Sequence, residues 1–323
     1  MTTGAALDPP TAEITYRRAR MEDAEQTYRI VQGASDDLSR KMGLTVKHSL
    51  PAERVIRLRH FCVRNDGERF WVAEAGGEMI GAAYATLRDD VWYLDALHVL
   101  PAWQSRKVGS ELIRRSMAGT GPTTALTVLT GASNPISNGL YMRFGMLPQD
   151  STVSFDGPIE SGGEAAGETA HAPGPTPAAG PLSTRPIDRS RDQAALTAFD
   201  LATVGFARPT DHEFWLGVPG LEARIVEREG SARGYVYVSR AGAIGPVAVA
   251  DPRDIGPALD VAAQIAAEAG ATSLHIRNFG SARGAVDWSV RRGLKLTDIG
   301  LFLSSRPVGR FDGYVTSGAD ALY

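Results

Sequence analysis

Cysteine is nearly absent from this 323-residue chain. Cys62 is the only one, so no intramolecular disulfide can form. It lies in the apolar stretch His60-Phe61-Cys62-Val63 and reads as a small buried hydrophobe, with no neighbouring base to make it a nucleophile. Apolar runs of membrane-spanning length are lacking too. The opening residues MTTGAALDPPTAE hold neither a basic start nor an apolar core, so no secretory signal is expected. Nor is there an excess of positive charge. Lys and Arg number 34 against 37 Asp and Glu, a formal net charge of -3, which argues against an obligate nucleic-acid partner. His48, His60, His212 and His275 show no metal-ligand spacing, and His171 stands alone, so no metal site is expected. A cytoplasmic location, away from membranes, is the expectation these absences leave.

What is present suits a packed interior, with 43% hydrophobic and 22% charged residues. The length favours two domains. Residues 1–13 read as a flexible lead. The first domain, 14–156, opens with a strand at Ile14–Ala19. A helix follows, carrying Ala24, Thr27, Tyr28 and Val31 at helical spacing, then a loop or broken helix over 33–50 and a second helix over about 52–64. Strands at Phe70–Ala75, Met79–Leu87 and Val91–Leu100 form an antiparallel meander, turning at Gly76-Gly77 and Asp89-Asp90. A helix over about 109–118, a strand at Ala125–Leu129, a helix over about 135–144 and a strand containing Val153 and Phe155 complete it. Residues 157–186, rich in Gly, Pro and Ala, read as a disordered linker. The second domain, 187–323, repeats the alternation, with helices near 191–203, 255–269 and 281–291. Its strands are expected at Ala223–Glu227, Tyr235–Ser239, Ile244–Ala250, Ser273–Ile276 and Ile299–Leu303. Its tail, FDGYVTSGADALY, is aromatic enough to pack.

Two stretches carry chemistry. In VWYLDALHVLPAWQSRKVGS, residues 91–110, a strand apolar on both faces runs into a polar loop and then an amphipathic helix. Such a junction aims backbone N–H groups and the positive end of a helix at one spot, where a pyrophosphate can sit. Asp95 and His98 interrupt the apolar pattern. Asp95 reads either as a structural carboxylate bonded to backbone or as one poised to take a proton from an amine. Leu112, Ile113, Ser116 and Met117 form the helix's buried stripe, and Glu111 faces Arg114 and Arg115. In NPISNGLYMRFGM, residues 134–146, Asn134 suits the N-cap, Pro135 the first turn and Gly145 the end. Asn134, Ser137 and Tyr141 share a polar face, and Ile136, Leu140 and Phe144 are expected to be the buried side.

Together these stretches resemble the acyl-CoA site of the GNAT (GCN5-related N-acetyltransferase) superfamily. That family's loop reads Gln/Arg-x-x-Gly-x-Gly/Ala. Gln104 and Gly109 match it, and Lys107 replaces the first Gly. Lys107 either swings outward and adds charge beside the phosphates or weakens the site. The resemblance implies an α/β fold in which each domain is a twisted mixed sheet flanked by helices. It implies acetyl-CoA (acyl-CoA) as co-substrate, held by Leu97, His98, Val99, Gln104, Ser105, Arg106, Lys107, Val108, Gly109, Ser110, Asn134 and Ser137. It implies Tyr141 as the acid that protonates the leaving thiolate, and Asp95 is the candidate among these residues for the carboxylate that takes the amine's proton. The expected activity is N-acetylation of a small-molecule or peptide amine. Transfer of a longer acyl group, acylation of a hydroxyl, and a catalytically silent acyl-CoA-binding or interaction protein remain as alternatives. The family's acceptor borders the 33–50 segment. Here that segment holds Asp36 and Asp37 but also Arg40, Lys41 and Lys47, so no charge preference follows.

The second half repeats the first. Leu126 to Gly145 and Leu274 to Gly293 are identically spaced. Yet Ser289 stands in the place of Tyr141 and Ala282 in that of Asn134. No Gln/Arg-x-x-Gly loop can be placed, and Asp251 and Asp254 would oppose phosphate. The second domain reads as a degenerate, non-catalytic copy, with a wall for the acceptor cleft or a homodimer contact left open as its role. Gly242 and Gly245 do not precede a helix, which excludes a dinucleotide fingerprint.

Overall fold

The structure is a computed structural model that describes residues 12–41, 43, 52–159 and 180–317. The expectations for residues 1–11, for Lys47 and His48, for the bulk of the linker with His171, and for the last six residues lie outside them. Contacts divide the chain into two compact units, Met1–Leu87 with Leu94–Gly121, and Arg88–Tyr93 with Pro122–Tyr323.

The first unit holds β1 (Ile14–Arg18), α1 (Ala24–Lys41), α2 (Ala52–Asp66), β2 (Phe70–Ala75), most of β3 (Glu78–Arg88), the second part of β4 (Val91–Val99) and α3 (Val108–Ser116). Its strands run in the order β1-β2-β3-β4, with β2 antiparallel to both β1 and β3. α3 buries Val108, Leu112, Ile113 and Ser116, as its apolar stripe requires. The expected break after Val31 does not occur: α1 runs through Gly33 to Lys41. Its last turn carries Lys41 paired to Asp37 at 2.6 Å, one turn apart, which offsets part of the helix cost of Gly33.

The second unit holds β5 (Ala125–Gly131), α4 (Pro135–Arg143), β6 (Leu147–Pro158), β7 (Ser183–Pro186), α5 (Arg189–Thr203), α6 (Pro209–Leu216), β8 (Leu221–Arg228), β9 (Ser231–Ser239), β10 (Ala243–Val249), α7 (Ile255–Glu268), β11 (Ser273–Phe279), α8 (Arg283–Arg291), β12 (Lys295–Ser304) and β13 (Tyr314–Val315). Its strand order is β5-β12-β6-β11-β13-β10-β9-β8-β7. β12 pairs antiparallel with β5 on one edge (Phe302↔Leu129) and with β6 on the other (Ile299↔Val153). β6 in turn pairs with β11 (Ile276↔Phe155). The last strand of each sequence half is thus inserted between strands of the other. Three elements escaped the sequence reading. β7 lies at the end of the stretch read as a disordered linker and is ordered by antiparallel pairing with β8 (Thr184↔Val226). α6 lacks an apolar stripe because it buries Asp211 and His212 beside Phe214 and Trp215. β13 is only two residues long.

From β1 to β6 and from β7 to β12 the two halves have the same order of helices and strands, and they share one interaction that the sequence spacing did not disclose. Arg17 on β1 donates to both Asp23 oxygens (2.7 and 2.9 Å) and from Nε to Glu74 on β2 (3.0 Å). Arg185 on β7 does the same to Asp192 (2.6 and 2.9 Å) and to Glu227 on β8 (2.6 Å). A backbone N–H completes each clamp, Arg20 to Asp23 at 2.7 Å and Asp188 to Asp192 at 2.8 Å. Such bidentate, charge-assisted geometry is among the stronger polar contacts. Arg185 holds the Asp192 carboxyl well below the usual carboxylate range. Its contribution is therefore full above the unfolded value near 4 and is lost as pH falls below it. We predict that Asp192→Asn and Asp23→Asn each cost about 2 kcal/mol at neutral pH, read as a lower urea midpoint. An unchanged midpoint would show the clamps to be ornamental.

Candidate active site

β4 changes character along its length. Val91–Leu94 are buried, whereas Asp95–Val99 are half-buried. The cover expected on both sides therefore holds for the first part only, and the accessible part carries Asp95 and His98. Beyond it, Gln104 donates from Nε2 to the Val99 carbonyl at 3.0 Å, which ties the loop back to the strand. Ser105 and Lys107 both have φ of +64°. The left-handed turn at Lys107 swings the chain into α3, which begins one residue before Gly109. The first N–H bonded to a helical carbonyl is that of Glu111, to Lys107 at 3.0 Å. The N–H groups of Val108, Gly109 and Ser110 thus precede the ladder at the positive end of the helix. Arg106, over the Trp103 ring at 5.1 Å, and Lys107 add charge of the right sign. Glu111, the carboxylate in this first turn, is tied to Arg114 and Arg115. These groups fit a pyrophosphate. The left-handed backbone also explains why Gly suits position 107 in the resembling loop.

β4 and its surroundings hold a second cluster that the sequence did not reveal as one. Arg59 on α2, embedded in the apolar run Leu58–Val63, is 4% exposed and lies over the Tyr84 ring at 4.1 Å. Burial, and then the Arg59 charge, push the His98 imidazole down to about 4. Burial raises the Tyr84 hydroxyl, with the Asp95 charge adding to it. The available signal was an arginine inside an otherwise apolar helical run.

α4 in the second unit is built as expected at its ends. Asn134 Oδ1 accepts the Ser137 N–H at 3.2 Å, and Gly145 closes the helix with φ of +83°. Its buried face is a correction. Ile136 is 76% exposed, while Tyr141 is 5% and Asn138 6% exposed. The polar stripe points inward because it is internally bonded. Thr130 Oγ1 donates to Asn138 Oδ1 at 3.0 Å, and Asn138 Nδ2 donates to the Gly131 carbonyl at 3.2 Å. Asn134 Nδ2 donates to Ser137 Oγ at 2.8 Å. Burial pushes the Tyr141 hydroxyl up to about 12, with nearby Ser137 acting in the opposite sense. Tyr141 therefore keeps its proton at every working pH.

The corresponding places in the second half are filled from within. Asp251 accepts the Arg253 N–H at 3.0 Å just before α7, and Asp254, fully buried, meets Arg228 at 2.7 Å and Arg233 at 3.1 Å. Ser289 donates to the Ala285 carbonyl and accepts from Asn278. β10 and β11 pair in parallel only at Ala243 and Ile244. Past that point β13 lies between them, paired to Val247 and Ala248 on one side and Asn278 on the other. Phe311, just before β13, stacks on Phe279 at 3.8 Å.

Among the described residues no three His, Cys, Asp or Glu side chains converge as metal ligands, and no helix is long and apolar enough to cross a membrane. Residues 33–146 match the model of the Acetyltransferase (GNAT) family. Solved structures share the fold across nearly the whole chain. A putative acetyltransferase from Pyrococcus horikoshii is 17% identical, with 99% of each chain covered and a TM-score of 0.70. A GCN5-related N-acetyltransferase from Sphaerobacter thermophilus is 16% identical, with 92% of this chain and 97% of that one covered and a TM-score of 0.60. A tandem GNAT protein from the clavulanic acid biosynthesis pathway is 16% identical, with 91% and 99% covered and a TM-score of 0.57. No curated protein matches the sequence. The likeness to the GNAT superfamily and the mixed α/β architecture read from the sequence are thereby borne out.

Two outcomes follow from this geometry. Lys107→Gly removes a left-handed penalty of about 1–2 kcal/mol, offset in part by greater freedom of the unfolded chain. A net gain of about 0.5–1 kcal/mol in urea unfolding is expected, and an equal or lower stability would contradict the assigned conformation. His98, folded, binds its proton less readily than in the unfolded chain. Its share of stability is complete above about pH 6.5 and disappears as pH falls toward 4. His98→Gln should flatten that part of the acid limb, and superimposable limbs would show His98 to be solvated.

Proposed function

We propose that this chain is an acyl-CoA-dependent N-acyltransferase that moves an acyl group, acetyl in the first instance, onto an amine. The carrying observation is the left-handed loop Ser105–Lys107 with the leading N–H groups of α3, within the stretch that matches the GNAT family. Gln104, Ser105, Arg106, Lys107, Val108, Gly109 and Ser110 take the role of holding the pyrophosphate. The main chain of Leu97, His98 and Val99 takes the role of aligning the acyl group, and the resemblance assigns Asn134 and Ser137 the role of contacting the pantetheine arm. Acyl-CoA, when bound, supplies an activated thioester carbonyl. In the transfer a C–N bond forms and the C–S bond breaks. Asp95 accepts the proton the amine gives up, and Tyr141 donates one to the departing sulfur. The His98 imidazole is a poor base for an ammonium, since it holds a proton only below about pH 4. The second half is read as non-catalytic, because a carboxylate and the chain's own strand occupy the equivalent places. Lys107 favours the alternative of a silent acyl-CoA-binding protein. Longer acyl donors and hydroxyl acceptors are separated from acetyl and amines by the same assay.

Thiol release with a panel of amines and acyl donors tests the reading. Tyr141→Phe should lower kcat by at least about 100-fold with little change in the KM for acyl-CoA. If acyl-CoA binds and no acceptor ever yields thiol, the silent-binder alternative replaces the enzyme.

A further inference from the structure

A guanidinium keeps its charge at any working pH and carries five N–H donors. Buried, it needs oxygen acceptors. Arg208, fully buried ahead of α6, finds three: Asp200 at 2.9 Å, the Tyr235 hydroxyl at 2.8 Å and the Tyr314 hydroxyl at 2.9 Å. Asp200 also takes His212 at 2.9 Å, so this cluster in the second half carries its own counter-charge. Arg59 belongs to α2, the element that α6 repeats. It is nearly as deeply buried, yet Nε and Nη1 have no hydrogen-bond partner and, among the described residues, no carboxylate forms an ion pair with it. The Tyr84 ring covers one face of the guanidinium and its hydroxyl lies beside it, while Nε and Nη1 are enclosed without an acceptor. Its charge acts on His98, on the accessible part of β4 next to Asp95.

We infer that Arg59 anchors a carboxylate of the acceptor, so that the substrate of this site is a small amine that also bears a carboxylate, as an amino acid does. This rests on the acyltransferase reading. Arg59 is then a specificity-determining residue: the acceptor supplies the counter-charge that Asp200 supplies to Arg208 in the other half. The carboxylate fixes one end of the acceptor while its amine faces the proton acceptor. An acceptor without it leaves the buried cation uncompensated, a basis for strong discrimination.

Matched acceptors decide the matter in the intact wild-type chain. Glycine, β-alanine and γ-aminobutyrate are compared with their carboxamides by thiol release. The acids should exceed the amides at least 10-fold in kcat/KM. Arg59→Met should erase the difference through the KM of the acids while leaving the amides within 3-fold, and Arg59→Lys should restore part of it. Because removal of a buried arginine can unfold the chain, binding is read independently in the wild type through the His98 imidazole by NMR. N-acetylglycine, by neutralising Arg59, should raise the pH at which His98 titrates, and N-acetylglycinamide should not. Thiol release without acid–amide discrimination, together with an unmoved His98, would overturn the inference and leave the acyltransferase intact. A shift of His98 by N-acetylglycine with no thiol release from any amine would keep the anion anchor and sink the acyltransferase reading instead.

Discussion

One arginine clamped between two carboxylates fastens the start of each half of this chain. Arg17 with Asp23 and Glu74, and Arg185 with Asp192 and Glu227, join the first strand, the entry of the first helix and the next strand. The exit of β1 and β7 toward the helices is set there. α2 and α6 follow in each half, and each brings a buried arginine with it, Arg59 and Arg208. Buried guanidinium groups recur through the fold because each can gather several chain segments at once.

The contrast between the halves makes the chemistry of the first one legible. In the second half Asp251 lies where an incoming anion would meet backbone N–H groups, and β13 fills the gap between β10 and β11. Nothing in the layout of strands and helices had to change for this. The same layout of strands and helices thus accommodates different side chains at equivalent places, which is why architecture alone says so little about activity.

Much of this was readable before any coordinates. The Asn134 cap, the Gly145 stop, the Glu111 pairs and the polar loop at 104–110 are local features, and local chemistry fixes them. What failed depended on partners outside the element itself. The inward face of α4 was misjudged because its polarity is repaid by Thr130 and the Gly131 carbonyl. α6 was missed because His212 and Asp211 are buried on a hydrogen bond to Asp200 and an ion pair with Arg88. Arg59 drew no notice in the sequence, although it sits among apolar residues of α2. No periodicity distinguishes an arginine that reaches water from one that does not.

The interleaved order β5-β12-β6-β11 has a consequence for how the molecule comes into being. Synthesis proceeds from the N-terminus, so β5 and β6 leave the ribosome with open edges. Their shared neighbour, β12, is not made until the chain has been extended through Ser304. At about 5–20 residues per second, that interval is on the order of ten seconds. During it the nascent protein carries unpaired strand edges of the kind that recruit other chains. Its yield in the cell is therefore governed by translation speed and chaperone access over that window, and separate expression of the two halves yields two fragments that each lack an interior strand.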